Sequence, residues 1–95
     1  MQYLVIAYDN DGVLEKRLAV RAEHLKATQK LMSEGKIESA GAMIEEDSMV
    51  GSTVLTNFKT DDELNEWLEN EIYVTSGVWN MEEIQIVPIK LMPKS

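Results

Sequence analysis

Apolar spacing in this chain changes from period two to period 3.6 and back, twice, and that alternation most limits the folds open to it. A strand-like run at 3–9, YLVIAYD, is followed by helical spacing over about 14–34. Two further strand-like runs occupy 37–44 and 52–58, helical spacing returns up to about residue 70, and 83–89 reads as a closing strand. The order β-α-β-β-α-β is the split βαβ, ferredoxin-like α+β arrangement: a four-stranded antiparallel sheet with two helices on one face. The other sheet face is left open. In a chain of 95 residues, the simplest cover is the same face of a second copy, so a homodimer is expected.

Local signals place the joints. Asn10, Asp11 and Gly12 carry turn chemistry after the first strand, and Gly35 is positioned to close the first helix. The first strand has little alternation, as expected of a strand covered on both faces. Gly41 interrupts the second strand, where it predicts a bend or a close approach of backbone or ligand. Glu45, Glu46, Asp47 and Ser48 form a polar turn, which reads as solvated; neither an EF-hand loop nor a HExxH pattern is present. Thr60 with Glu63 is a capping box opening the second helix, whose buried face is Leu64, Trp67 and Leu68. Residues 71–80 read as an ordered loop with one helical turn, and Pro88 puts the last strand near an edge.

Charge and composition exclude several classes. Nine basic against seventeen acidic side chains give a net charge of −8, which repels nucleic acid and anionic membranes. No cysteine is present, and with one histidine a structural zinc site is not expected. Haem would have only Tyr, Met or His24 as ligands; no metal and no cofactor is expected. The apolar run at 3–8 is far too short to span a bilayer and no basic segment precedes it, so the cytoplasm is the expected location. The six methionines are dispersed and read as core filling.

Candidate chemistry gathers at 17–28, RLAVRAEHLKAT. At 100° per residue, Leu18, Ala22, Leu25, Gln29 and Met32 fall on one stripe, which predicts the buried face; Arg17, Arg21, His24 and Thr28 border it. A border imidazole suits proton transfer to a small ligand, because it titrates near working pH. Arg21, one turn away, offers a guanidinium fork for a carboxylate or phenolate, whereas Arg17 reads as a surface residue paired with Glu15 or Glu23. Gly41, Gly51 and Ser52 are candidate ligand contacts through backbone amides and a hydroxyl. Ser52 has no GxSxG context to make it a nucleophile. Tyr73 and Trp79 wall a pocket or fill the core.

These stretches, with SAGAM at 39–43, VGS at 50–52 and YVTSGVW at 73–79, resemble the YciI-like (YCII-related) family over almost the whole domain. The resemblance implies a dimeric α+β barrel, a pocket beside the first helix, and a His/Asp pair as its acid-base centre. His24 stands at the histidine position. The family's aspartate opens a DPY or DPF motif; here the sequence is Glu71, Ile72, Tyr73, with a carboxylate one methylene longer and no proline, which predicts a less constrained loop. The function expected is lyase- or isomerase-type acid-base chemistry without a cofactor on a small anionic or aromatic metabolite. His24 and Glu71 would be catalytic, with Arg21, Gly41, Ser52 and Tyr73 against the substrate. The alternatives are a noncatalytic small-ligand module and a dimerisation domain.

Overall fold

The computed structural model describes residues 2–93. Its elements are β1 (Gln2–Tyr8), α1 (Leu14–Ser33), β2 (Ile37–Glu45), β3 (Ser48–Thr56), α2 (Asp61–Asn70), the single turn α3 (Ile72–Thr75) and β4 (Gln85–Ile89). The strands make one antiparallel sheet in the order β2-β3-β1-β4, which is the ferredoxin-like α+β topology predicted by the alternating periods.

The joints follow from local chemistry. Gly35 takes φ 76°, its N–H donating to Met32 O at 3.1 Å while Lys36 N–H donates to Leu31 O at 2.9 Å; the helix end is thereby satisfied. Glu46 and Asp47 turn the β2–β3 hairpin at φ 50° and 64°, the left-handed pair that matches strand twist in a tight turn. Thr60 Oγ1 accepts from Glu63 N–H at 3.1 Å and opens α2. Strand β4 pairs only with β1, so Pro88 sits on an edge, where its missing N–H breaks no ladder.

The sheet's two faces differ. Val5 and Ala7 of β1, Val54 and Thr56 of β3 and Ile37 of β2 are buried under the helices. Leu4, Ile6 and Leu55 face the other way and are half-buried. Within one chain, therefore, β1 is covered on one face only, which corrects the reading of a strand covered on both.

One further expectation is overturned, and a second holds only in part. Leu18 and Met32 are 53% and 43% exposed, and the buried residues of α1 are Arg17, His24 and Thr28, with Val20 and Leu31 partly covered. The buried face lies roughly 100° round the helix from the apolar stripe. Arg17 and His24, which find partners inside the protein, occupy the face toward the sheet with Thr28. The more apolar stripe lies beside it, with Leu25 half-buried and, like Met32, at the cavity wall. Gly41 runs through β2 in register with Thr53, and a Cβ there would meet nothing within 4 Å. Backbone approaches closely at Gly51 instead, where a Cβ would come within 2.6 Å of Ala7 O and 3.1 Å of Tyr8 Cα, while Gly41 is open on the cavity side.

Candidate active site

A cavity of about 280 Å³ opens between α1 and the β2–β3 hairpin. Arg21, His24, Leu25, Gly41, Ser52 and Tyr73 are among the residues that line it. Five of the six residues singled out in the sequence thus surround one space. The sixth, Glu71, stands behind His24, with its side chain 3% exposed.

Glu71 is where α2 ends and α3 begins, in extended backbone at φ −62° and ψ 130°. Its carbonyl accepts from Val74 and Thr75 N–H at 2.8 and 2.9 Å, and its Oε1 accepts from Tyr73 N–H at 3.3 Å. The same Oε1 lies 2.6 Å from His24 Nδ1. The segment is therefore not left loose by the absent proline: the longer carboxylate folds back onto its own helix turn and is fixed there. With an ionised carboxylate as acceptor, Nδ1 carries the proton, and in the neutral imidazole Nε2 keeps its lone pair.

Aromatic packing fixes the imidazole plane. His24 stacks on Tyr73 with centroids 3.9 Å apart and planes 12° from parallel, and Trp79 meets it in a T-shaped arrangement with centroids 6.3 Å apart. Burial pushes the Tyr73 phenol above its ordinary range; Arg17 and Arg21 act against that, while Glu71 and Asp9 add to it.

Arg17 is not a surface residue. Its side chain is 3% exposed; Nη1 donates to both Asp9 oxygens at 2.8 and 3.0 Å, Nη2 donates to Ser52 Oγ at 3.0 Å, and the guanidinium lies 4.7 Å from the Tyr73 ring centroid. Burial raises the Asp9 carboxyl and the neighbouring Arg17 charge partly offsets this. Trp79 Nε1 donates to the same Ser52 oxygen at 3.2 Å. Sequence reasoning missed Asp9 as a site-supporting residue. The available signal was the spacing of Arg17, His24 and Thr28, which puts an arginine on the histidine's own face. Thr28 Oγ1 is buried without a hydrogen-bond partner among the described residues.

Fold and cavity together define a small α+β protein with a buried histidine–carboxylate pair beside a ligand-sized pocket. Residues 1–90 match the YCII-related domain, and the chain belongs to that family. It is 36% identical over 97 residues to protein YciI of Escherichia coli O6:H1, covering 95% of this chain and 97% of that one. An uncharacterized protein of Haemophilus influenzae is 33% identical over the same shares. Among solved structures, 5-chloro-2-hydroxyhydroquinone dehydrochlorinase (TftG) of Burkholderia phenoliruptrix AC1100, in complex with 2,5-dihydroxybenzoquinone, aligns with a TM-score of 0.81. It is 23% identical, with 95% of this chain and 94% of that one covered, so the likeness is one of fold. Among the described residues, no helix is long and apolar enough to cross a membrane.

Proposed function

We propose that this protein is a lyase- or isomerase-type enzyme that moves a proton on a small anionic or aromatic ligand, with His24 as the acid-base group and Glu71 as its orienting partner. The observation that carries this reading is the 2.6 Å contact between His24 Nδ1 and a buried Glu71 carboxylate at the wall of a ligand-sized cavity. It leaves Nε2 as the nitrogen available to a ligand. Arg21, at the exposed side of the cavity, supplies a cation for an anionic substituent. Gly41 and Tyr73 complete the walls. The related fold of a dehydrochlorinase in complex with a dihydroxylated quinone supports the substrate class.

The chemistry asked of the pair is modest. A carboxylate-held imidazole takes a proton from a carbon or hydroxyl of the ligand, the Glu71 charge stabilising the imidazolium. In an isomerisation the proton returns at another atom. In an elimination the freed electron pair forms the new double bond as the C–Cl bond breaks, chloride leaving with its bonding pair and the proton passing to solvent. The same reading places a second copy over the open sheet face and the protein in the cytoplasm; sedimentation equilibrium at twice the chain mass is the expected result for the first.

A panel of chlorinated hydroxyhydroquinones, followed anaerobically by chloride release and quinone absorbance with the unchlorinated compound as the unreactive control, tests the proposal. Wild type is expected to turn over at least one member, and His24→Gln to lose on the order of a hundredfold or more while keeping the fold. Equal turnover in His24→Gln would overturn the mechanism. Stable binding across the panel with no conversion would favour a noncatalytic ligand-binding module.

A further inference from the structure

At the cavity, the acceptor capacity of Ser52 is settled from behind. Its Oγ receives Arg17 Nη2–H at 3.0 Å and Trp79 Nε1–H at 3.2 Å. A guanidinium and an indole N–H only donate, so both lone pairs of the Ser52 oxygen are taken. The hydroxyl hydrogen is what remains. No acceptor for it occurs among the hydrogen bonds of the described residues, although Ser52 is only 3% exposed and lines the cavity with His24 and Tyr73.

We infer that Ser52 presents its O–H to the cavity as the donor for an oxyanion or carbonyl oxygen of the ligand, with Arg17 and Trp79 as positioning residues. This rests on the reading of the cavity as the ligand site and names the ligand chemistry: an acceptor oxygen is required opposite Ser52. A hydroxyl that accepts two hydrogen bonds, one from a cation, is polarised and becomes a stronger donor. The same two donors rule out the serine as a nucleophile, because each draws electron density from Oγ and neither takes its proton.

The ion pair behind the serine explains how a buried cation serves here without acting as the anion site. Asp9 neutralises Arg17 through Nη1, the Tyr73 ring lies against the guanidinium, and Nη2 is committed to Ser52, so that at the cavity wall the Arg17 charge is already paired and acts on the ligand chiefly by polarising Ser52. A fixed donor aimed at the place where negative charge gathers on a phenolate or enolate oxygen is the arrangement that stabilises such charge most effectively.

The test uses the full chain and 2,5-dihydroxybenzoquinone, titrated by its visible absorbance against wild type, Ser52→Ala and Ser52→Thr over a range of pH. Ser52→Ala is expected to weaken binding of the ionised probe by about ten- to a hundredfold, and Ser52→Thr, which keeps the hydroxyl, to restore most of it. The bound probe should also ionise at a lower pH in wild type than in Ser52→Ala, an effect that a merely structural serine would not produce. Because Ser52→Ala strands two buried donors, wild type supplies a second readout. Saturating probe should move the Trp79 indole N–H resonance, as its acceptor becomes richer in electrons, and leave that of Trp67 in place. A probe that shifts the His24 ring resonances while Trp79 is unmoved, or while Ser52→Ala binds equally well, overturns the role of Ser52 and leaves the pocket reading intact. A probe that moves neither His24 nor Trp79 overturns both.

Discussion

Individual side chains at this site act through what stands behind them. Glu71 holds His24, Tyr73 stacks on it, and Asp9 and Arg17 support Ser52. The buried Tyr73 phenol gives a pH signature. Its proton is held above the ordinary 10.0, so between that value and the folded one the native state keeps a proton that the unfolded chain has lost. Stability is then fully present below 10.0 and falls as pH rises through the window. Tyr73→Phe should flatten this alkaline decline in urea-unfolding midpoints, with a residue left by Tyr3, whose bond to Asp61 raises it in the same direction. Superimposable declines for the two proteins would show that Tyr73 ionises in the folded state as readily as in the unfolded one. At this scale the sequence was only partly legible. His24 and Glu71 are 47 positions apart, so their pairing came from family resemblance, and Arg17 looked like a surface residue because its partner Asp9 lies at the end of a different element.

Elements were read more completely than faces. Every strand and helix was legible from period and punctuation, because turn residues, the Thr60 cap and Gly35 act locally. The buried side of α1 was not, since an apolar stripe predicts burial only where the facing surface is apolar, and here the helix turns Arg17, His24 and Thr28 inward. The glycines show the same limit. Gly41 and Gly51 look alike in sequence, yet only Gly51 has neighbouring backbone where a side chain would go. Gly51→Ala should cost about 1–3 kcal/mol through clash with the β1 backbone, whereas Gly41→Ala should change stability by no more than about 0.5 kcal/mol. Denaturant midpoints measure both, and equal costs would mean that β1 can move away from β3 without penalty.

For the molecule as a whole, a four-stranded sheet with helices on one side leaves a cavity between α1 and the β2–β3 hairpin, and polar residues on α1 face it. The inward polar face of α1 and the exposed positions of Leu18 and Met32 belong to one arrangement, in which the open cavity runs alongside the helix and Met32 stands at its wall. The helix packs by Arg17, His24 and Thr28, of which Arg17 and His24 are held by carboxylates from other parts of the chain. The central claim is that this architecture delivers one imidazole nitrogen to the ligand and commits the other to Glu71. The most direct measurement is the nitrogen-15 spectrum of the His24 ring, in wild type and in Glu71→Gln, with and without 2,5-dihydroxybenzoquinone. The account predicts a ring protonated at Nδ1 in wild type, an Nε2 resonance that responds to the probe, and a mixture of tautomers once Glu71 is replaced. A ring protonated at Nε2, unchanged by Glu71→Gln and by the probe, would contradict it.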